Sequence, residues 1–273
     1  MKIKTLSTTL LGIDSLAKSR LEWIDMAKGI AIILVVFRHI VIGLSRAGID
    51  IGSYYEAAST ITYSFRMPLF FILSGFFLRK SIEKRKFKQF LNAKFSTLLY
   101  PYLVWTFIQV SIQIYLSSHL NSNRSIEDYL YIFIAPREID HFWFIYALFN
   151  ISITYFLFIK LFKDKKWLIF LLAILMYHTG HYLKINVFQD VLNFFVYAVI
   201  GDIISSYVLN PSNESKISSP KFLIPMSFLF VVSQWVYLTN EELNHFLYGL
   251  IALIGSVFTL SLSFSIGRIR WLF

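Results

Sequence analysis

The chain has 273 residues, 56% apolar, 18% aromatic and 15% charged; a soluble domain carries about 25% charged residues, so that class is excluded and a polytopic membrane protein is indicated. The formal net charge of +10 is read as the Lys/Arg bias of cytoplasmic loops, and nucleic acid is excluded as a partner. With no Cys, disulfides, thiolate metal sites and Cys nucleophiles fall away together.

In residues 1–22 the apolar run is interrupted by Thr, Ser and Asp14, which breaks the core that a cleaved signal peptide needs. This stretch is expected to be a short cytoplasmic lead, and residues 23–273 one membrane-embedded domain. Trp23 to Leu44 reads WIDMAKGIAIILVVFRHIVIGL, long enough to span a bilayer at about twenty residues. It nevertheless carries Asp25, Lys28, Arg38 and His39, and a charge near mid-membrane costs roughly 2.5–3.5 kcal/mol. On a helix, Lys28 and His39 lie within roughly 20° of one another and about 16 Å apart along the axis. Asp25 falls within about 40° of His39 on the same stripe, whereas Arg38 points about 100° away.

A second span is predicted over 58–78, followed by a basic loop, RKSIEKRKFKQFLNAK, with seven Lys/Arg against one Glu. The positive-inside rule makes that loop cytoplasmic and orients the first two spans. Further spans are predicted over 95–116, 141–159, 167–182, 187–209, 222–238 and 246–266. The stretch 117–140 is expected on the outer side as an interfacial or re-entrant piece. A Ser/Pro/Asn-rich linker is expected over 210–221. The fold class is therefore an all-α, multi-pass bundle of about eight transmembrane helices, with both ends cytoplasmic.

His39 is the sharpest candidate for chemistry, because imidazole titrates near neutrality and exchanges protons with a hydroxyl. Its competing role is an interhelical hydrogen bond; Lys28 and Asp25 on the same stripe favour chemistry. Arg38 is expected to pair with another helix or reach the outer headgroups. Arg66 is a second intramembrane cation, balanced between function and snorkelling. Ser74–Gly75 reads as a close-packing pair rather than a nucleophile. His178 and His181, spaced H-x-x-H, are expected to be interfacial rather than metal ligands, and Asp202 is either a partner for a buried cation or a boundary carboxylate. The 79–94 run, including Arg85 and Lys94, also suits a phosphorylated cytosolic ligand.

The stretch WIDMAKGIAIILVVFRHI resembles the first helix of the acyltransferase-3 family of integral-membrane acyltransferases, bacterial O-acetyltransferases of surface sugars. The family's Lys or Arg, ten residues, then His is matched by Lys28 and His39. FRMPLFFILSGFFLRK, NAKFSTLLYPYLVW and HFWFIYALF are similar to its next three blocks, in the same order. The resemblance runs from about Leu21 to Phe149 and fades beyond. It implies acetyl-CoA as a cytoplasmic acyl donor, not a permanently bound cofactor, and a glycan or lipid-linked sugar hydroxyl as acceptor. It implies a bacterial inner-membrane location, His39 as catalytic base and Lys28 on the donor-facing part of the stripe. Asp25, Arg66 and Trp143 are then expected on the substrate, and Arg85 and Lys94 on the donor beside Lys28. Three positions depart from the family pattern: Arg66 replaces a His common before Met-Pro, Lys94 replaces an Arg, and the chain ends at RWLF, where relatives commonly continue to ten helices. The alternatives carried forward are a transporter or flippase that uses the charged stripe for an anionic solute or glycan lipid, and a catalytically inactive relative.

Overall fold

A computed structural model describes residues 21–117, 124–139, 141–163, 165–183, 186–240 and 242–267. Among these residues the chain is helical and contains no strand. In lipid this is the expected outcome, since a helix satisfies its backbone polar groups within one segment. The elements are α1 (Glu22–Arg46), α2 (Gly52–Glu83), α3 (Phe87–Lys94), α4 (Tyr100–Tyr115), α5 (Asp128–Ile134), α6 (Trp143–Leu161), α7 (Lys166–Gly180), α8 (Asn186–Val208), α9 (Pro211–Ile217), α10 (Pro220–Thr239) and α11 (His245–Ile266). A π-helical turn, Phe95–Leu99, joins α3 to α4, and a 3-10 turn, Pro136–Ile139, precedes α6.

Seven of the helices are long and apolar enough to cross a membrane, with α3, the π turn and α4 counting as one span from Phe87 to Tyr115. The remaining predicted span is α7, whose 15 residues extend about 22 Å, short of a hydrocarbon core of about 30 Å. Pro101 accounts for the π turn: it has no N–H for the carbonyl one turn earlier, and the helix widens locally to accommodate the gap.

Two expected loops are largely helical. The 79–94 stretch contains the end of α2 and all of α3, separated at Lys84–Lys86, where the Lys86 backbone N–H donates to Gln89 Oε1 at 3.1 Å. The expected linker 210–221 contains α9, which opens with Pro211 and is capped by Asn210, whose Oδ1 accepts from the Ser212 N–H at 3.1 Å. In both places capping outweighs the loop-like composition.

The core is built around α2, which packs against α1, α8 and α11. Its contact with α8 is backbone on backbone: a Cβ on Gly75 would land on the Ala198 carbonyl, and one on Gly201 on the Ile72 carbonyl. The close-packing reading of this segment therefore falls on Gly75. One turn below, Arg79 Nε donates to Asp202 Oδ1 at 2.9 Å and Arg79 Nη2 lies 2.6 Å from Oδ2. The Tyr155 hydroxyl of α6 donates to the same carboxylate at 2.6 Å. Asp202 is thus the buried partner of a cation. A smaller core of Tyr102, Val110, Ile132 and Ile139 ties α4 to α5, and the Tyr102 hydroxyl donates to the Ile132 carbonyl at 2.5 Å. Elsewhere the large apolar side chains face outward, among them Ile33 on α1 and Phe228 and Trp235 on α10, as a bilayer solvent allows.

Candidate active site

α1 buries Trp23, Ile24, Ala27, Ala31 and Val41 against the bundle, an i, i+3/i+4 stripe. Trp23 fixes one end of it by stacking on Phe264 of α11 at 4.1 Å and meeting Phe76 of α2 at 6.0 Å. Near the other end the stripe divides between two neighbouring residues. Arg38 turns to α2, where its Nη1 donates to Ser59 Oγ at 3.3 Å and its guanidinium lies 4.2 Å from the Tyr63 ring. This identifies the helix that Arg38 pairs with.

His39 turns the other way and stacks on His141, with ring centroids 4.5 Å apart and planes at 27°. His141 is itself held. Gln109 Nε2 of α4 donates to the Ile139 carbonyl at 2.7 Å and lies 3.2 Å from His141 Nδ1. The carbonyl contact orients the amide, so the amide donates to Nδ1, and the neutral ring then carries its proton on Nε2. His39 therefore sits at the seam between the main bundle and the smaller α4–α5 core, half-buried and facing a second imidazole.

Arg66 lies on the same face of α2 as Ser59 and Tyr63, at i+7 and i+3 from them. It is 6% exposed, and its guanidinium is 5.2 Å from the Tyr63 ring. Arg38, Tyr63 and Tyr248 of α11 lie within electrostatic range of it. Tyr248 in turn has Arg137 within range, and its ring is 5.7 Å from that of Tyr237 on α10. Arg137, in the 3-10 turn, donates from Nε to Asp190 Oδ1 of α8 at 2.6 Å and stacks over Trp143 at 4.0 Å. Trp143 packs on Phe194 at 5.6 Å, so it holds an arginine that borders the same tyrosine cluster. Arg38, His39, Arg66, His141, Arg137 and Trp143 thus belong to one end of the bundle.

Asp25, Lys28, Arg85 and Lys94 lie at the opposite end. Lys28 and Asp25 are exposed on the first turns of α1, and Lys28 is separated from His39 by a helix rise of about 16 Å. Lys94 rests over the Phe90 ring at 5.6 Å with Arg85 within electrostatic range. Arg85 is exposed and donates to Ser81 Oγ at 2.9 Å. His178 and His181 join an aromatic cluster, His178 stacking on Phe246 at 5.5 Å and His181 lying 4.8 Å from His245.

Sequence reasoning missed His141, Gln109, Tyr63, Arg137 and Asp190. The available signal was positional: His141 and Arg137 stand at the entrance to a predicted span, where ionisable side chains reach back into a bundle. Their partners Gln109, His39 and Asp190 are 32 or more residues away along the chain and leave no mark in local spacing.

A family model described as an acyltransferase domain matches residues 21–273. The chain is also similar to the nodulation protein NolL of Mesorhizobium japonicum, with 30% identity over 128 residues, covering 46% of this chain and 32% of that protein. The match thus spans about a third of the relative's length. No solved structure matches. The family match covers nearly the whole chain and includes the His39 helix, the His141–Trp143 segment and every helix between: the chain belongs to the acyltransferase-3 family of membrane acyltransferases.

Proposed function

We propose that the protein is an O-acetyltransferase of the bacterial cytoplasmic membrane that moves the acetyl group of acetyl-CoA to a sugar hydroxyl of an envelope or surface glycan. The observation that carries this reading is the His39–His141 stack at 4.5 Å, a pair of proton-exchanging groups at the seam of an acyltransferase bundle. In the proposed step His39 removes the proton of the acceptor hydroxyl as its oxygen attacks the thioester carbonyl. The C–S bond breaks, an ester C–O bond forms, and the proton passes to the departing CoA thiolate.

The donor's phosphates are assigned to the basic end, where Arg85 and Lys94 lie close together, with Lys28 between that end and His39. The extended arm of CoA connects phosphates to thioester, which suits residues set apart along α1. The basic end is accordingly placed on the cytoplasmic side.

His39→Ala is expected to lower acetyl transfer by a factor of about 10² to 10⁴, the usual contribution of a positioned acid–base group, while leaving membrane insertion intact. Mass spectrometry of surface glycan from cells carrying either form reads this directly. Undiminished acetylation by the variant would sink the mechanism.

A further inference from the structure

Arg66 is buried, at 6% exposure, yet its Nε and Nη1 have no hydrogen-bond partner. Its guanidinium lies over the Tyr63 ring at 5.2 Å, a contact with the π face that gives Nε and Nη1 no hydrogen-bond acceptor. Arg38 approaches the same ring from α1 at 4.2 Å, so two like charges converge on one aromatic side chain. Two other cations of the bundle are paired with carboxylates, Arg79 with Asp202 and Arg137 with Asp190. Among the described residues no such carboxylate serves Arg38 or Arg66. A buried guanidinium without a counter-charge is strongly unfavourable, and the neighbouring arginine worsens it. A carboxylate or phosphate brought by a ligand removes both penalties, because its oxygens match the planar fork of N–H donors.

The position of the pair indicates which substrate brings that anion. Ser59, Tyr63 and Arg66 form one stripe of α2 about 10 Å long, and a cavity of about 220 Å³ lined by Arg38, Ser59 and Thr60 opens at the Ser59 end of it; Glu56 and Arg46 stand at its exposed rim. Arg38 is the residue before His39. The basic groups assigned to the donor, Arg85 and Lys94, are at the far end of the bundle, so the Arg38–Arg66 pair is available to the acceptor.

We propose that Arg66, together with Arg38, forms an anion subsite for the acceptor, which is therefore an acidic glycan whose carboxylate or phosphate is held there while its hydroxyl meets His39. This inference rests on the acyltransferase reading and deepens it by naming the acceptor class.

The test measures binding to the purified protein in detergent, without acetyl-CoA, of glucuronic acid, glucose 1-phosphate and glucose. An acidic sugar is expected to bind at least about tenfold more tightly than glucose, the scale of one charge-assisted hydrogen bond. Whichever of the two binds better identifies carboxylate or phosphate. Arg66→Gln is expected to abolish the preference, and Arg66→Lys, which keeps the charge, to retain part of it. Equal affinity of the wild-type protein for all three sugars overturns the subsite, a result that needs no variant to fold. Preference for acidic sugars without any acetyl transfer upholds the subsite and overturns the acyltransferase reading. Acetyl transfer to neutral glycans with no such preference does the reverse.

Discussion

Arg38 and His39 are adjacent in sequence and serve different helices, because one residue turns a helix by about 100°. That step sends Arg38 to Ser59 and Tyr63 and His39 to His141. The charged stripe was legible from spacing alone; the second imidazole was not, since nothing local to His141 announces His39. Asp202 shows the same limit. Its position near a helix end suited a solvated carboxylate equally well, and only the fold brings Arg79 and Tyr155 onto it, leaving it 2% exposed. Asp202→Ala leaves the Arg79 charge buried without its counter-ion, so a loss of about 3–5 kcal/mol is expected. The measurement is the thermal-inactivation half-life in detergent. The double variant Arg79→Met with Asp202→Leu, which removes both charges, is expected to recover much of that loss.

At the scale of elements, the contact that sets the architecture is the crossing of α2 and α8, where Gly75 and Gly201 let the two backbones touch. Small residues are the means by which membrane helices approach this closely. Gly75→Ala would drive a methyl group into the Ala198 carbonyl, and overpacking of this kind costs about 1–3 kcal/mol. Gly29 of α1 has nothing within 4 Å of its would-be Cβ, so Gly29→Ala is expected to be neutral or slightly stabilising. Comparing the two variants by unfolding midpoint separates the contact from the mere loss of a glycine. The helix periods and apolar lengths placed the helices to within a few residues, except that the third span begins at Phe87 rather than 95 and that α2 runs from Gly52 through Glu83, well beyond the 58–78 stretch that its apolar run suggests. Polar residues at both ends of α2 continue the helix because nothing there breaks it: Gly52, with φ of 72°, and the Lys84–Lys86 turn are where the chain actually changes direction.

At the scale of the molecule, two charged ends face one another along α1. One gathers Arg38, His39, Arg66, Arg137 and His141 around tyrosines and Trp143; the other is the basic surface of α3 and its turn, with exposed Arg85 and half-buried Lys94. If donor phosphates bind at the second end, the Arg85→Gln, Lys94→Gln double variant is expected to raise the KM for acetyl-CoA severalfold with little change in kcat, as loss of uniform binding does. The dependence of that KM on ionic strength should weaken at the same time, since exposed charges are screened within about 8–10 Å at ordinary salt. An unchanged KM and an unchanged salt response would place the donor elsewhere.

The sequence by itself determined a multi-pass helical membrane protein, the path of its spans and a charged stripe on the first helix, because these depend on apolar length, helical period and local charge. It also carried the four ordered blocks that resemble the acyltransferase-3 family. Only the tertiary structure decided that Arg38 and Arg66 share Tyr63, that His39 stacks on His141, and that Asp202 neutralises Arg79. Those arrangements bring together residues from different segments, and their physical cause is helix packing: which faces meet is fixed by close contacts such as Gly75 on Ala198, not by any spacing within one segment.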